Sequence, residues 1–145
     1  MASRGVSWFD EEKLLPGESL IRQGAARVRT PAAPPGWWEG TLILTSDRLF
    51  FLSFVRNPLV DTEAAYWLAE LEATEAGRNR LRVHPTGNRA ASVTFQFLGR
   101  PLDVGALLGD LGKSWLRDVT RAQLRARPAY TFDLPASPRQ RAAAG

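Results

Sequence analysis

The chain has 145 residues, 44% of them hydrophobic and 23% charged. That is the composition of one ordinary globular domain, and it excludes disordered, collagenous and membrane-spanning classes. There is no cysteine and a single histidine, His84, which excludes disulfides, thiolate nucleophiles, cysteine-bearing zinc sites and any site built on two imidazoles. The net charge of +4 conceals an asymmetry: residues 1–76 carry 7 basic and 11 acidic side chains, residues 77–145 carry 12 and 4. A basic second half favours acidic partners such as anionic lipid or nucleic acid. Met1–Asp10 lacks the uninterrupted apolar core of a signal peptide, and no run approaches the roughly 20 residues that span a bilayer. A cytoplasmic protein is expected.

In chain order, residues 1–13 read as a helical lead-in. Ser7 stands three residues before Asp10 in capping-box fashion, and Trp8, Phe9, Leu14 and Leu15 can share a face until Pro16 and Gly17 end it. Ser19–Arg29 is a strand candidate, followed by a proline-rich loop, Thr30–Gly36. Trp38–Thr45 and Arg48–Val55 are aromatic and aliphatic runs separated only by Ser46 and Asp47, a two-residue hairpin signature. After a loop at Arg56–Ala64, Tyr66–Ala76 reads equally as a helix or as two short strands. Gly77–Asn79 makes a turn, and Leu81 and Val83 then alternate with Arg80, Arg82 and His84. Following a turn at Pro85–Asn88, the stretch Ala91–Leu98 places Val93, Phe95 and Phe97 on one face. Beyond Gly99 the period changes to about 3.6: Val104, Leu107, Leu108, Leu111, Trp115 and Val119 form one helical stripe with Pro101 near its start. Gly105, Gly109 and Gly112 weaken that helix, which predicts close packing on the sheet or a break near Gly112. Residues 128–145 read as a mobile tail.

The stretch GTLILTSDRLFF over Gly40–Phe51 resembles the central hairpin of GRAM domains, members of the pleckstrin-homology-like superfamily. Leu15–Ile21 (LPGESLI) resembles that family's entry motif. Trp67–Leu71, Leu81 with Val83, Val93–Phe97 and the terminal helix follow in the family's order. The resemblance implies a mainly β protein, a bent antiparallel barrel over residues 14–127 capped by a C-terminal helix. It also implies a non-enzymatic module that binds membrane lipid or protein partners. The strand-then-helix order read from the residues agrees with that architecture.

Pleckstrin-type lipid sites place basic residues on both of the first two strands, whereas here Arg27 and Arg29 end the first and Trp37, Trp38 and Glu39 open the second. In the resembled fold the first–second, third–fourth and sixth–seventh strand connections share one barrel end. Those connections bring Arg29, Trp37, Trp38, Arg56 and Arg89 together, with Arg27 close by. Arginine forks hold phosphate and tryptophan favours the water–hydrocarbon boundary, so these six residues are the candidate contact with an anionic membrane surface. The rival role is a protein-interaction adaptor without lipid. Nucleic acid ranks third because the barrel strands place most aromatics inward.

Three further features are given structural roles. The stripe Arg78, Arg80, Arg82 and His84 is expected to be neutralised by cross-strand pairs Glu72–Arg82 and Glu70–His84. Arg117, Arg121 and Arg125 complement a helix dipole. Gly112, Lys113 and Ser114 fail as a phosphate loop because Leu107 stands where a glycine is required. No catalytic residue, metal or cofactor is expected.

Overall fold

The computed structural model describes residues 13–31, 36–55, 60–61, 64–98 and 110–128. Trp8, Phe9, Arg56, Pro101, Val104, Leu107 and Leu108, with residues 129–145, lie outside the described residues, as does most of the 1–13 lead-in. Seven strands are formed: β1 (Leu20–Arg29), β2 (Trp38–Thr45), β3 (Arg48–Ser53), β4 (Ala65–Trp67), β5 (Leu71–Glu75), β6 (Arg80–Pro85) and β7 (Val93–Phe97), followed by helix α1 (Leu111–Gln123). All pairs are antiparallel, in the order β4-β3-β2-β1-β7-β6-β5. β1 pairs with both β2 and β7, joining the β2–β4 and β5–β7 halves into one sheet that curls into a nearly closed barrel. Its two edges, β4 and β5, are joined by a 3-10 turn at Leu68–Glu70.

Alternation decides the interior. Ala26 and Val28 of β1, Leu42 and Leu44 of β2, Leu49 and Phe51 of β3, Leu81 and Val83 of β6, and Val93, Phe95 and Phe97 of β7 share one buried core. Each fully buried aliphatic or aromatic side chain contributes about 1.5–3 kcal/mol. The predicted hairpin is present, turning at Ser46–Asp47, although β3 ends at Ser53, short of Val55. Tyr66–Ala76 resolves into two strands around the 3-10 turn. A second cluster, Ile43, Phe50 and Ala65, lies on the opposite side of β2–β4.

α1 closes one barrel end with Leu111, Trp115, Val119 and Ala122, and Trp115 stacks on Phe97 at 5.1 Å and 9°. The helix begins only at Leu111. Asp110 is its N-cap in extended conformation, so the predicted stripe from Val104 to Val119 is not one uninterrupted helix. Asp110 Oδ1 accepts from the N–H groups of Gly112 (2.8 Å) and Lys113 (3.4 Å), and from that of Asn79 (2.7 Å). Asn79 Oδ1 in turn accepts from the Leu111 N–H at 2.8 Å. This exchange holds Asn79 at φ 58°, a conformation asparagine tolerates. Burial taken alone raises the Asp110 pKa, but the N–H groups of Asn79, Lys113 and Gly112, with the charge of Lys113, bring it below the ordinary value. Gly112 is required for contact, not for a break: a Cβ there would stand 2.3 Å from the Arg80 carbonyl oxygen.

At the β2–β3 turn a carboxylate is buried with its partners. Glu18 accepts a fork from Arg48, Nε to Oε2 and Nη2 to Oε1, both at 2.8 Å. It also accepts from the Thr45 hydroxyl and from the Leu15 N–H. The Glu18 and Arg48 side chains are 0% and 3% exposed. The entry segment is thereby fastened to the central hairpin.

Candidate anion-binding surface

On β1, β7 and β6 the inward residues dictate which side chains face out. Because Ala26 and Val28 fill the core, Arg27 and Arg29 point away from it. By the same alternation Thr94 and Gln96 face out from β7, and Arg80 and Arg82 from β6. Register then assembles two rows across the three strands. Arg27, Gln96 and Arg80 form one, and Arg29, Thr94 and Arg82 the other. Four arginines therefore flank two uncharged polar residues.

Trp37, just before β2, lies over this surface. Its ring centroid is 4.9 Å from the Arg27 guanidinium carbon, 4.8 Å from that of Arg29 and 5.4 Å from that of Arg80. Cation–π contacts of this kind contribute about 0.5–1 kcal/mol each where exposed and more where dry. Gln96 Oε1 accepts from Arg80 Nε at 3.0 Å and from Arg27 Nη2 at 3.4 Å. Arg27 Nε is buried without a hydrogen-bond partner. Glu39 stands opposite Arg27 on β2 but forms no ion pair with it, and among the described residues no carboxylate is paired with Arg27, Arg29, Arg80 or Arg82. Three guanidiniums converge on one indole with their charge uncancelled, an arrangement suited to a bound anion.

Of the six candidate residues, Arg27, Arg29 and Trp37 are brought together. Trp38 is not among them: it lies on the inward face of β2, packs against the core and buries an unpartnered indole nitrogen. The alternation that places Leu42 and Leu44 inward places Trp38 there too, and leaves Trp37 outside. Arg89 is exposed on a 3-10 turn, Arg89–Ala91, between β6 and β7. Register sets that turn at the same end as Arg29, since Arg29 pairs with Thr94. Arg56 lies outside the described residues.

The expected pairs Glu72–Arg82 and Glu70–His84 do not form, although Glu72 Oε1 stands 4.0 Å from His84 Nε2. Glu72 pairs with His84, and Arg82 faces Thr74. The 3-10 turn delays the start of β5 to Leu71, and Ala76–Asn79 form a longer connection than the assumed tight turn, so the register moves by two residues. Arg80 joins the Trp37 cluster through other pairings, β6 with β7 and β7 with β1, which set it across Gln96 from Arg27. The overlooked signal was alternation common to three strands: Arg27 and Arg29, Arg80 and Arg82, and Thr94 and Gln96 all occupy the positions that the apolar residues leave. His84 is buried, with Nδ1 2.9 Å from the Pro85 carbonyl oxygen.

No family model and no curated protein matches this chain. Solved structures do. The linker-DH/PH domains of p115-RhoGEF align over 79% of this chain and 31% of that one, with a TM-score of 0.54 at 13% identity. The DH/PH fragment of PDZRHOGEF in complex with human RhoA aligns over 76% and 30%, with a TM-score of 0.53 at 11% identity. The Vps36 N-terminal PH domain aligns over 77% and 83%, with a TM-score of 0.49 at 16% identity. The chain thus spans under a third of the RhoGEF chains it matches. At such identities the likeness establishes a fold, the pleckstrin-homology-like barrel with its C-terminal helix.

Proposed function

We propose that residues 14–127 form a GRAM-like, non-enzymatic module that recruits the protein to anionic membrane lipid at the inner, cytoplasmic face of a membrane. Arg27, Arg29, Arg80 and Trp37 make the contact, and Arg56 and Arg89 add charge from the adjoining loops. Trp38 anchors the β1–β2 connection from inside the barrel. The observation that carries this reading is the convergence of three guanidiniums on the Trp37 ring without a paired carboxylate. Arginine meets phosphate through a bidentate fork. Each cation held near an anionic leaflet contributes about 1 kcal/mol, a contribution that salt screens. Tryptophan supplies the ring that settles at the headgroup level.

Co-sedimentation with anionic and neutral vesicles at low and high salt tests the proposal. Binding is expected only to the anionic vesicles, weakening as salt rises and falling sharply in Trp37→Ala with Arg29→Gln. Salt-insensitive binding, or binding unchanged in that variant, would remove the site. No vesicle binding at all would leave the chain a protein-interaction adaptor.

A further inference from the structure

The outer face of α1 carries a line of cations that the barrel does not use. Lys113, Arg117, Arg121 and Arg125 recur at every fourth position and are all exposed, and Leu124, 83% exposed, lies in the same line. The carboxylates at this helix are engaged elsewhere. Asp110 caps the N-terminus, and Asp118 pairs with Arg22 at 2.8 Å. Among the described residues the guanidiniums of Arg117, Arg121 and Arg125 have no ion pair.

Helix stability accounts for only part of this line. Like charges four residues apart repel. The helix dipole favours a cation in the last turn, where Arg121 lies, but disfavours one in the first turn, where Lys113 lies. The membrane does not account for the rest. α1 closes the barrel end formed by the starts of β1 and β6 and by the Leu68–Glu70 turn: Gly112 lies against the Arg80 backbone, Arg22 reaches Ser114 and Asp118, and Gln123 donates to the carbonyls of Leu68 and Leu71. Furthermore, the apolar stripe that an interfacial helix would turn to lipid is buried in the core. The outer face also offers no aromatic ring on which a base could stack.

We infer that the outer face of α1 is a docking surface for an acidic segment of a protein partner, whose carboxylates meet Arg117, Arg121 and Arg125 and whose apolar side chain covers Leu124. The inference stands independently of the membrane reading. If both hold, the domain joins an anionic surface on the outer face of β1, β7 and β6 to an acidic protein on α1.

The test is fluorescence anisotropy of the full chain with a labelled synthetic peptide of glutamates interspersed with leucine, alongside a single-stranded oligonucleotide. The peptide is expected to bind, with affinity at least about tenfold weaker in R117E/R121E and about threefold weaker in Leu124→Ser. Affinity in Trp37→Ala is expected to be unchanged. Both arginines are exposed, so the double variant should melt with the wild type; should it not, R117Q/R121Q replaces it. Failure of the peptide to bind, equal binding by the double variant, a loss confined to Trp37→Ala, or tighter binding of the oligonucleotide would each overturn the inference.

Discussion

Arginine plays opposite parts in two regions of this barrel. Arg48 is buried beside the β2–β3 turn, where Glu18 takes its fork and Thr45 and Leu15 satisfy the remaining carboxylate lone pairs. Arg27, Arg29 and Arg80 lie on the outer face of β1, β7 and β6, beside an indole and one amide oxygen, and among the described residues no carboxylate is ion-paired with them. The first arrangement is complete and serves stability. The second carries its charge without a paired carboxylate among the described residues, and it is the surface proposed to meet an anionic ligand. A guanidinium's role in this fold is thus read from what faces it, not from its place in the sequence.

The largest expected effect is at the complete site. Glu18→Gln keeps the shape but strands the buried Arg48 charge, and chemical denaturation should show a loss of about 3–5 kcal/mol. A loss under 1 kcal/mol would erase the contrast between the two regions. Next comes Arg127, whose Nη2 meets Asp47 Oδ2 at 2.6 Å and the Pro16 carbonyl at 2.8 Å. More than a third of Arg127 is exposed, so its own charge is screened, but the Asp47 side chain is only 2% exposed. Arg127→Ala should therefore lower stability by about 1–3 kcal/mol through the deprived acceptor, measured by the same denaturation.

Asp110 gives a smaller and pH-dependent effect. Asp110→Ala should lose about 0.5–2 kcal/mol with the helix cap. Because the folded-state pKa lies below the unfolded one, the wild-type contribution is fully present above the unfolded value of about 4 and is lost as pH falls through the folded value. Thermal melting across the acid range should show this slope in the wild type and a shallower one in Asp110→Asn. Smallest in stability is Arg29→Gln, expected within about 0.5 kcal/mol of wild type while anionic-vesicle binding falls. That uncoupling of binding from stability would sharpen the comparison most.

Much of the architecture is legible from local chemistry. The hairpin around Ser46–Asp47, the alternation of β6 and β7, and the apolar stripe of Leu111, Trp115 and Val119 each follow from turn residues or a period of 2 or 3.6 within one segment. A terminal helix after many strands already points to a capped barrel. Other features depend on which segment faces which. Trp37 and Trp38 are adjacent and chemically identical, yet one covers three arginines and the other enters the core. The difference arises because β2 begins where it does. Likewise the β5–β6 register rests on a 3-10 turn and a longer connection, and a shift of two residues moved Glu72 from Arg82 to His84 and left Arg82 facing Thr74.

By itself, then, the sequence determined β1, β2, β3, β6 and β7, the central hairpin and the buried face of the helix, because periodicity and turn preference act over a few neighbouring residues. Tertiary structure alone decided the meeting of Arg27 and Arg29 with Arg80, more than 50 positions away, and the burial of Glu18 with Arg48. Those outcomes depend on β1 pairing with β7 and on backbone register, and pairing between strands distant in the chain leaves no periodic mark within either one.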